Sequence, residues 1–282
     1  MTPKAYEQSV ALRIPEELKQ LFLELDSVVV AFSGGVDSAL VLRLAVAILG
    51  PRRVVAAVAD SASLPERDRS LVQAYADRLG VPLHMLATRE LEDPRYAANP
   101  VDRCFFCKDE LYSRFSALAA ELGFAAVVDG TNADDVKAHR PGMAAAKKAG
   151  VRSPLLDAGL DKTAVRALAR ALDVPMWNKP ASACLASRIP YNTRVSAEVL
   201  RQIDRAEQIL LDNGFATVRV RHHGEIARIE VTPEMVPRLL HPDMRQRIST
   251  ALKEVGYRYV TVDLDGYRSG SLNPPAQQEA RR

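Results

Sequence analysis

The sequence predicts a doubly wound α/β fold, a parallel sheet covered by helices on both faces, followed by a smaller C-terminal α+β domain. Three observations predict it. Strand-like and helix-like runs alternate from residue 27 to residue 173, and that alternation builds parallel sheets. The first strand ends in a Gly-rich turn that opens a helix, SGGVDS at 33–38. From Ser196 the order changes to helix, strand, strand, helix, strand.

Taken in order, a short helical segment at 15–25 precedes strand candidates SVVVAF (27–32), VVAAVA (54–59), PLHMLA (82–87) and AAVVD (125–129). Helical patterns at 38–50, 65–80, 108–123 and 162–173 fall between and after them. The second part reads as a helix at 196–214, strands at 216–221 and 225–231, a helix at 233–256 and a strand at 258–264. The expected domains are 1–190 and 191–270. Residues 271–282, polar and Pro-containing, read as a loose tail.

At 282 residues and 48% hydrophobic, the chain can bury a proper core. Thirty-eight basic and 35 acidic side chains give a net charge of only +3, too little for wholesale nucleic-acid binding. Small-molecule partners are expected. The N-terminal segment lacks the pattern of a cleaved leader, and no run approaches the roughly 20 apolar residues of a membrane span. A cytoplasmic location and no membrane partner are expected. Three cysteines, Cys104, Cys107 and Cys184, are too few for a disulfide framework and point to metal-binding or catalytic thiols.

A strand ending in a glycine turn before a helix collects free backbone N–H groups and the positive helix end at one point, where an anion gains most. Gly34 and Gly35 let phosphate approach the backbone, and Ser33 and Ser38 add hydroxyls. Asp37 holds Mg²⁺ or orders the loop. Asp60 ends the second strand, and Gly130, Thr131 and Asn132 follow the fourth, so all lie at the carboxyl edge where open α/β sheets bind ligands. The competing reading of DGTNADD (129–135) is an Asx-type turn capping the next helix.

The loop lacks the Gly-Lys-Ser/Thr ending of a Walker A motif and instead resembles the SGGxDS pyrophosphate loop of PP-loop ATPases. That resemblance implies an adenine nucleotide alpha hydrolase-like domain that splits ATP to AMP and pyrophosphate. With RCFFCKDELY (103–112), DGTNADDVKAHRPG (129–142) and above all KPASACLASRIPY (179–191), the chain resembles the LarE family of ATP-dependent sulfur transferases, of the three-cysteine type. The resemblance extends through DRAEQIL and VRVRHHGEIARIEV. It implies adenylation of the carboxylates of pyridinium-3,5-biscarboxylate mononucleotide and their conversion to thiocarboxylates, in the building of the nickel-pincer nucleotide. It also implies a trimer-based homo-oligomer.

A carboxylate oxygen leaves only after activation, and a sulfur nucleophile must then attack. Cys184 fits that role. In the simplest mechanism implied by the family its own sulfur is given up. Cys104 and Cys107 depart from a single-cysteine pattern, and with Cys184 they are candidate ligands of a [4Fe–4S] cluster whose open iron carries sulfide. Zinc with a fourth ligand, a redox Cys-x-x-Cys pair and inert thiols are the other readings.

Lys108, Lys179 and Arg188 flank the cysteines and suit an anionic substrate, although an isolated Lys or Arg is by default a solvated charge. Arg219 and Arg221, two apart on a strand, share a face and can present paired guanidiniums to a phosphate; ordinary ion pairs on an exposed face are the alternative. The resemblance assigns such a pair to the substrate's phosphate and places Glu207 near sulfur transfer, where a solvent-facing helix charge is the competing reading. His222 and His223 read as structural, and Trp177 as packing. The functional alternatives are a PP-loop tRNA thiolase, an amidating ligase resembling NAD synthetase, and a non-catalytic nucleotide-binding iron–sulfur sensor.

Overall fold

The computed structural model describes residues 13–137, 141–180, 183–268 and 271–272. Residues 273–282 of the expected tail, 138–140 of the DGTN segment and 181–182 of the cysteine segment lie outside the described residues. The chain divides into two compact units, one of 1–61, 66–90 and 102–182, the other of 62–65, 91–101 and 183–282. No helix among the described residues is long and apolar enough to cross a membrane.

The first unit is the expected α/β fold. Strands β1 (Val28–Ala31), β2 (Val54–Asp60), β3 (Leu83–Ala87) and β4 (Ala126–Val128) form an all-parallel sheet in the order β3-β2-β1-β4. Val29 pairs with Val55 on one side and Val127 on the other. Because successive side chains point to opposite faces, Val29, Val55, Ala57 and Val127 pack with Leu111, Phe115 and Ala145 of the helices Arg103–Leu122 and Pro141–Lys148. The helix Val36–Leu49 is buried along nearly its whole first ten residues, as expected of a helix apolar all round. The chain leaves β1 toward β2, then returns to add β4 on the other side of β1. The loops after β1 and β4 therefore meet at the reversal of strand order, where such sheets bind ligands.

The helix Pro141–Lys148 was not expected from the sequence, and two of the expected helices take other bounds. The helix expected from Lys108 begins at Arg103, which puts Cys104 and Cys107 inside its first turns. The helix expected over 233–256 is broken into Pro233–Met235, Val236–Leu240 and Pro242–Glu254. Pro242 has no N–H to continue the run and holds His241 extended at φ −54°, ψ 135°, so a new helix starts with proline in its first position.

In the second unit, β5 (Val218–His223) and β6 (Ile226–Val231) are antiparallel and β7 (Tyr259–Val262) adds parallel to β6. Val218, Val220, Ile229 and Val231 form a core with Ala206 and Leu210 of the helix Ala197–Asp212 and with Ile248 and Leu252 of Pro242–Glu254.

Candidate active site

In the first unit the turn after β1 is built by its own side chains. Gly34 takes φ +71°, a conformation that favours glycine, and a Cβ there would lie 2.9 Å from Val72 Cγ1. Ser38 Oγ accepts the Ser33 N–H and donates to Gly35 O, both at 3.2 Å, and lies 3.2 Å from Ser33 Oγ. These bonds fold the loop back on the first turn of the helix Val36–Leu49, whose leading N–H groups have no carbonyl partner within that helix.

The loop after β4 locks onto this turn. A Cβ on Gly130 would stand 2.6 Å from Ser38 N and 2.8 Å from the Asp37 carbonyl carbon, so only hydrogen fits. Asn132 Nδ2 donates to Asp37 Oδ1 at 3.1 Å, and Lys162 Nζ donates to Asp37 Oδ2 at 2.5 Å. Asp37 thus orders the loop. Each of its oxygens has a second lone pair, so the carboxylate also fits Mg²⁺ arriving with a triphosphate. Asn132 Oδ1 accepts the Asp134 N–H at 3.0 Å, and Asp129 Oδ1 accepts the Thr131 N–H at 3.0 Å. The Asx-turn and capping geometry is real, and it positions the residues that brace Asp37. Asp60 is held by Arg69, which also bonds Ser61 O at 3.4 Å. We expect Gly130→Ala to push the two loops apart, costing about 1–3 kcal/mol of stability. Chemical denaturation and ATP-binding calorimetry would check this, with binding falling more than stability.

Asp129 ties this edge to the cysteine helix. Its carboxylate accepts from Tyr112 Oη at 2.8 Å, Ser153 Oγ at 2.7 Å and Thr131 Oγ1 at 2.9 Å. Burial and the Asp129 charge push the Tyr112 hydroxyl far above the usual phenol range, so it remains a donor. Lys108 lies 5.1 Å above the Tyr112 ring centroid and donates to its hydroxyl at 3.4 Å. Cys104 is exposed and Cys107 half-buried, three residues apart on one helical face.

In the second unit, Arg188 is fully buried and forks onto Glu207, Nε to Oε1 at 2.8 Å and Nη2 to Oε2 at 2.9 Å. Its Nη1 donates to Ala183 O at 2.6 Å, Cys184 O at 3.1 Å and Ser187 Oγ at 3.0 Å. Arg188, expected to contact substrate, instead has its guanidinium committed to protein acceptors around Cys184. Glu207 is also fully buried and accepts the Val220 N–H at 3.1 Å, which corrects the solvent-facing alternative. Burial pushes the Glu207 carboxyl up, but the Arg188 guanidinium outweighs it and holds the group below its ordinary value. Cys184 itself is exposed and precedes the short helical turn Leu185–Arg188. None of the three cysteines is disulfide-bonded.

Arg219 and Arg221 share a face of β5, but it is a covered one, with exposures of 9% and 4%. Arg221 Nη2 donates to Glu230 Oε2 at 2.7 Å and Nη1 to Ser187 O at 3.0 Å; its buried Nε has no partner among the described residues. Arg219 lies 5.2 Å from the Tyr267 ring centroid. Burial, and then the like charge of Arg188, lower its pKa, so this guanidinium stands to gain from an incoming anion. Burial also lowers both His222 and His223, and His222 Nδ1 sits 3.3 Å from Tyr257 Oη, the structural place expected. The sequence reading missed Lys162, Asp129, Tyr112, Ser187 and Glu230. Tyr112, Asp129, Ser187 and Glu230 lie inside the quoted motifs and only Lys162 outside them, but each is joined to its partner by folding and not by spacing in the sequence. Among the described residues no three or more His, Cys, Asp or Glu side chains converge as a metal site.

Residues 10–97, which contain the nucleotide loop, match the NAD synthase family. An uncharacterized protein of Synechocystis is 42% identical over 258 residues, covering 92% of this chain and 96% of its own. The pyridinium-3,5-bisthiocarboxylic acid mononucleotide synthase of Lactiplantibacillus plantarum is 40% identical over 250 residues, covering 89% of this chain and 90% of its own. The chain belongs to the LarE family. It is therefore an enzyme, and the non-catalytic sensor reading falls away. The NAD synthase match ends before Cys104, so it speaks for the PP-loop part of this LarE-family enzyme and not for its cysteine segments. A protein of Methanocaldococcus jannaschii, also uncharacterized, is 24% identical over 92% of the chain.

Proposed function

We propose that this LarE-family enzyme uses ATP to adenylate the carboxylates of pyridinium-3,5-biscarboxylate mononucleotide and converts them to thiocarboxylates, with sulfur delivered at Cys184. The observation that carries this reading is an exposed Cys184 on a loop held by a buried Arg188–Glu207 fork, in a chain that also carries an SGGVDS phosphate loop. The L. plantarum relative is named for the corresponding product.

The carboxylate oxygen of the substrate attacks the α-phosphorus of ATP, and pyrophosphate leaves with the P–O bond electrons. Ser33, Gly34, Gly35 and Ser38 cradle the departing phosphates through N–H and hydroxyl donors, with Asp37, Gly130, Thr131 and Asn132 fixing that cradle. Mg²⁺ held by Asp37 would neutralise phosphate charge. Asp60 borders the same sheet edge. The Cys184 thiolate then attacks the acyl carbon and AMP leaves, giving a thioester. Removal of the Cys184 Cα proton breaks the Cβ–S bond, leaving dehydroalanine and the thiocarboxylate.

A second reading is favoured by the presence of three solvent-accessible thiols. A [4Fe–4S] cluster held by Cys104, Cys107 and Cys184 would, when bound, present an open iron carrying sulfide and spare the protein. Lys108, next to Cys107, supplies positive charge on that helix, and Glu207 and Arg188 act by fixing the Cys184 loop. Iron and acid-labile sulfide measured in anaerobically purified protein decide between the two. Both elements, lost in Cys104→Ala, support the cluster; neither leaves Cys184 as the sacrificial donor.

Arg219 and Arg221 recognise the substrate's phosphate. Arg219→Ala should weaken binding of the pyridinium nucleotide about tenfold, the scale of one charge-assisted hydrogen bond, and leave ATP binding intact. Calorimetry with each ligand checks it. Equal loss of both would reject the assignment. A trimer-based assembly in a cytoplasmic setting completes the proposal.

A further inference from the structure

We infer that Ser271 is a specificity-determining residue of the substrate site: its hydroxyl holds a place on Arg221 that the phosphate of a pyridinium nucleotide takes over on binding. This rests on the assignment of Arg219 and Arg221 to the substrate's phosphate above. Ser271 Oγ accepts from Arg221 Nη2 at 2.9 Å and donates to Glu230 Oε1 at 2.9 Å. Glu230 Oε2 accepts from the same Nη2 at 2.7 Å, and Ser187 O accepts from Nη1 at 3.0 Å. The Nε of Arg221 is buried and has no partner among the described residues. A guanidinium grips an oxyanion with two neighbouring N–H groups, and the N–H group beside Nε belongs to Nη2. Both Nη2 hydrogens are taken. A phosphate that engages Nε bidentately therefore has to displace Glu230 or Ser271.

Charge decides which of the two yields. Arg228 stands directly opposite Arg221 in the β5–β6 register, a pairing of like charges that is unfavourable by itself. Glu230 is fully buried and bonds both, accepting from Arg228 Nη2 at 3.1 Å as well as from Arg221. Removing it would strand two guanidiniums. Ser271 is neutral and half-buried, so a charged phosphate oxygen is the stronger acceptor for the same N–H. Its backbone N–H reaches Arg268 O at 3.4 Å, a long bond. Tyr267 is pinned by comparison, its N–H on Val231 O at 2.7 Å and its ring centroid 5.2 Å from Arg219. Arg219 is thus covered on one side by a fixed ring, and Arg221 by a hydroxyl that can leave. Arg219, Arg221 and Arg228 share this sheet face with the carboxylates of Glu230 and Asp263, which leaves positive charge in excess among the described residues there. Arg228 bonds both carboxylates and screens them from the incoming anion.

A reversal of sign tests this, because truncating a side chain in the site should tighten binding. Isothermal calorimetry would compare pyridinium-3,5-biscarboxylate mononucleotide with its dephosphorylated nucleoside on the wild type and Ser271→Ala. The variant should bind the mononucleotide about three- to tenfold more tightly, the scale of one hydrogen bond that no longer has to be given up, and bind the nucleoside as the wild type does. Unchanged nucleoside binding also shows that the site still folds. In the wild type, the mononucleotide should speed trypsin cleavage after the exposed Arg268, since it releases Ser271, and the nucleoside should not. Weaker or unchanged mononucleotide binding by Ser271→Ala would overturn the inference and leave the phosphate assignment in place, as would protection of Arg268 by the mononucleotide. A wild type that binds mononucleotide and nucleoside equally would overturn both.

Discussion

Glu207→Ala is expected to destabilise the second unit by about 3–5 kcal/mol, because it strands the fully buried Arg188 guanidinium without its carboxylate. At a few degrees per kcal/mol, the thermal transition should fall by roughly 10 °C. Urea unfolding followed by circular dichroism checks the size. Glu207→Gln should cost less, since an amide oxygen still accepts one bond but the charge is gone. The pH dependence has a definite sign. Glu207 has a folded pKa below its ordinary value of 4.5, so its contribution is present above that value and is lost as pH falls through the folded one. The acid limb of the stability profile should flatten in Glu207→Gln. A variant as stable as the wild type would mean that the fork is not what holds the Cys184 loop.

Cys184→Ala should reduce thiocarboxylate formation by about a thousandfold or more while pyrophosphate release continues, because activation of the carboxylate does not use the thiol. The side chain is exposed, and Arg188 holds this loop by the Ala183 and Cys184 backbone carbonyls, which the substitution keeps. Thermal stability should therefore stay near wild type. Measuring both products in one assay separates loss of sulfur transfer from loss of adenylation. Loss of both together would place Cys184 in the activation step.

Much of this was legible in the sequence because it rests on local pattern. Apolar runs five or six residues long alternating with helical periods specify a parallel sheet, and SGGVDS marks a strand-to-helix anion turn before any contact is known. Residues two apart on β5 were correctly placed on one face. What covers that face was not legible, since Tyr267 and Glu230 come from other segments. The same holds for Lys162 on Asp37 and for Tyr112 on Asp129, pairs that only the fold brings together. Arg188 misled for another reason. An arginine is ordinarily at the surface, and only a carboxylate fork and three further acceptors make its complete burial tolerable. The helix start at Arg103 was missed although Asp102, a residue type that favours the cap position, directly precedes it; in the fold Asp102 makes no side-chain cap bond.

The most direct test incubates the enzyme with Mg²⁺-ATP and pyridinium-3,5-biscarboxylate mononucleotide and follows substrate and protein by mass spectrometry. The account predicts AMP, pyrophosphate and a substrate in which carboxylate oxygen is exchanged for sulfur. The protein should either lose the mass of hydrogen sulfide at Cys184 or stay intact while a cluster supplies sulfide. Pyrophosphate release without sulfur entering the pyridinium nucleotide, or no ATP cleavage in its presence, would contradict the account.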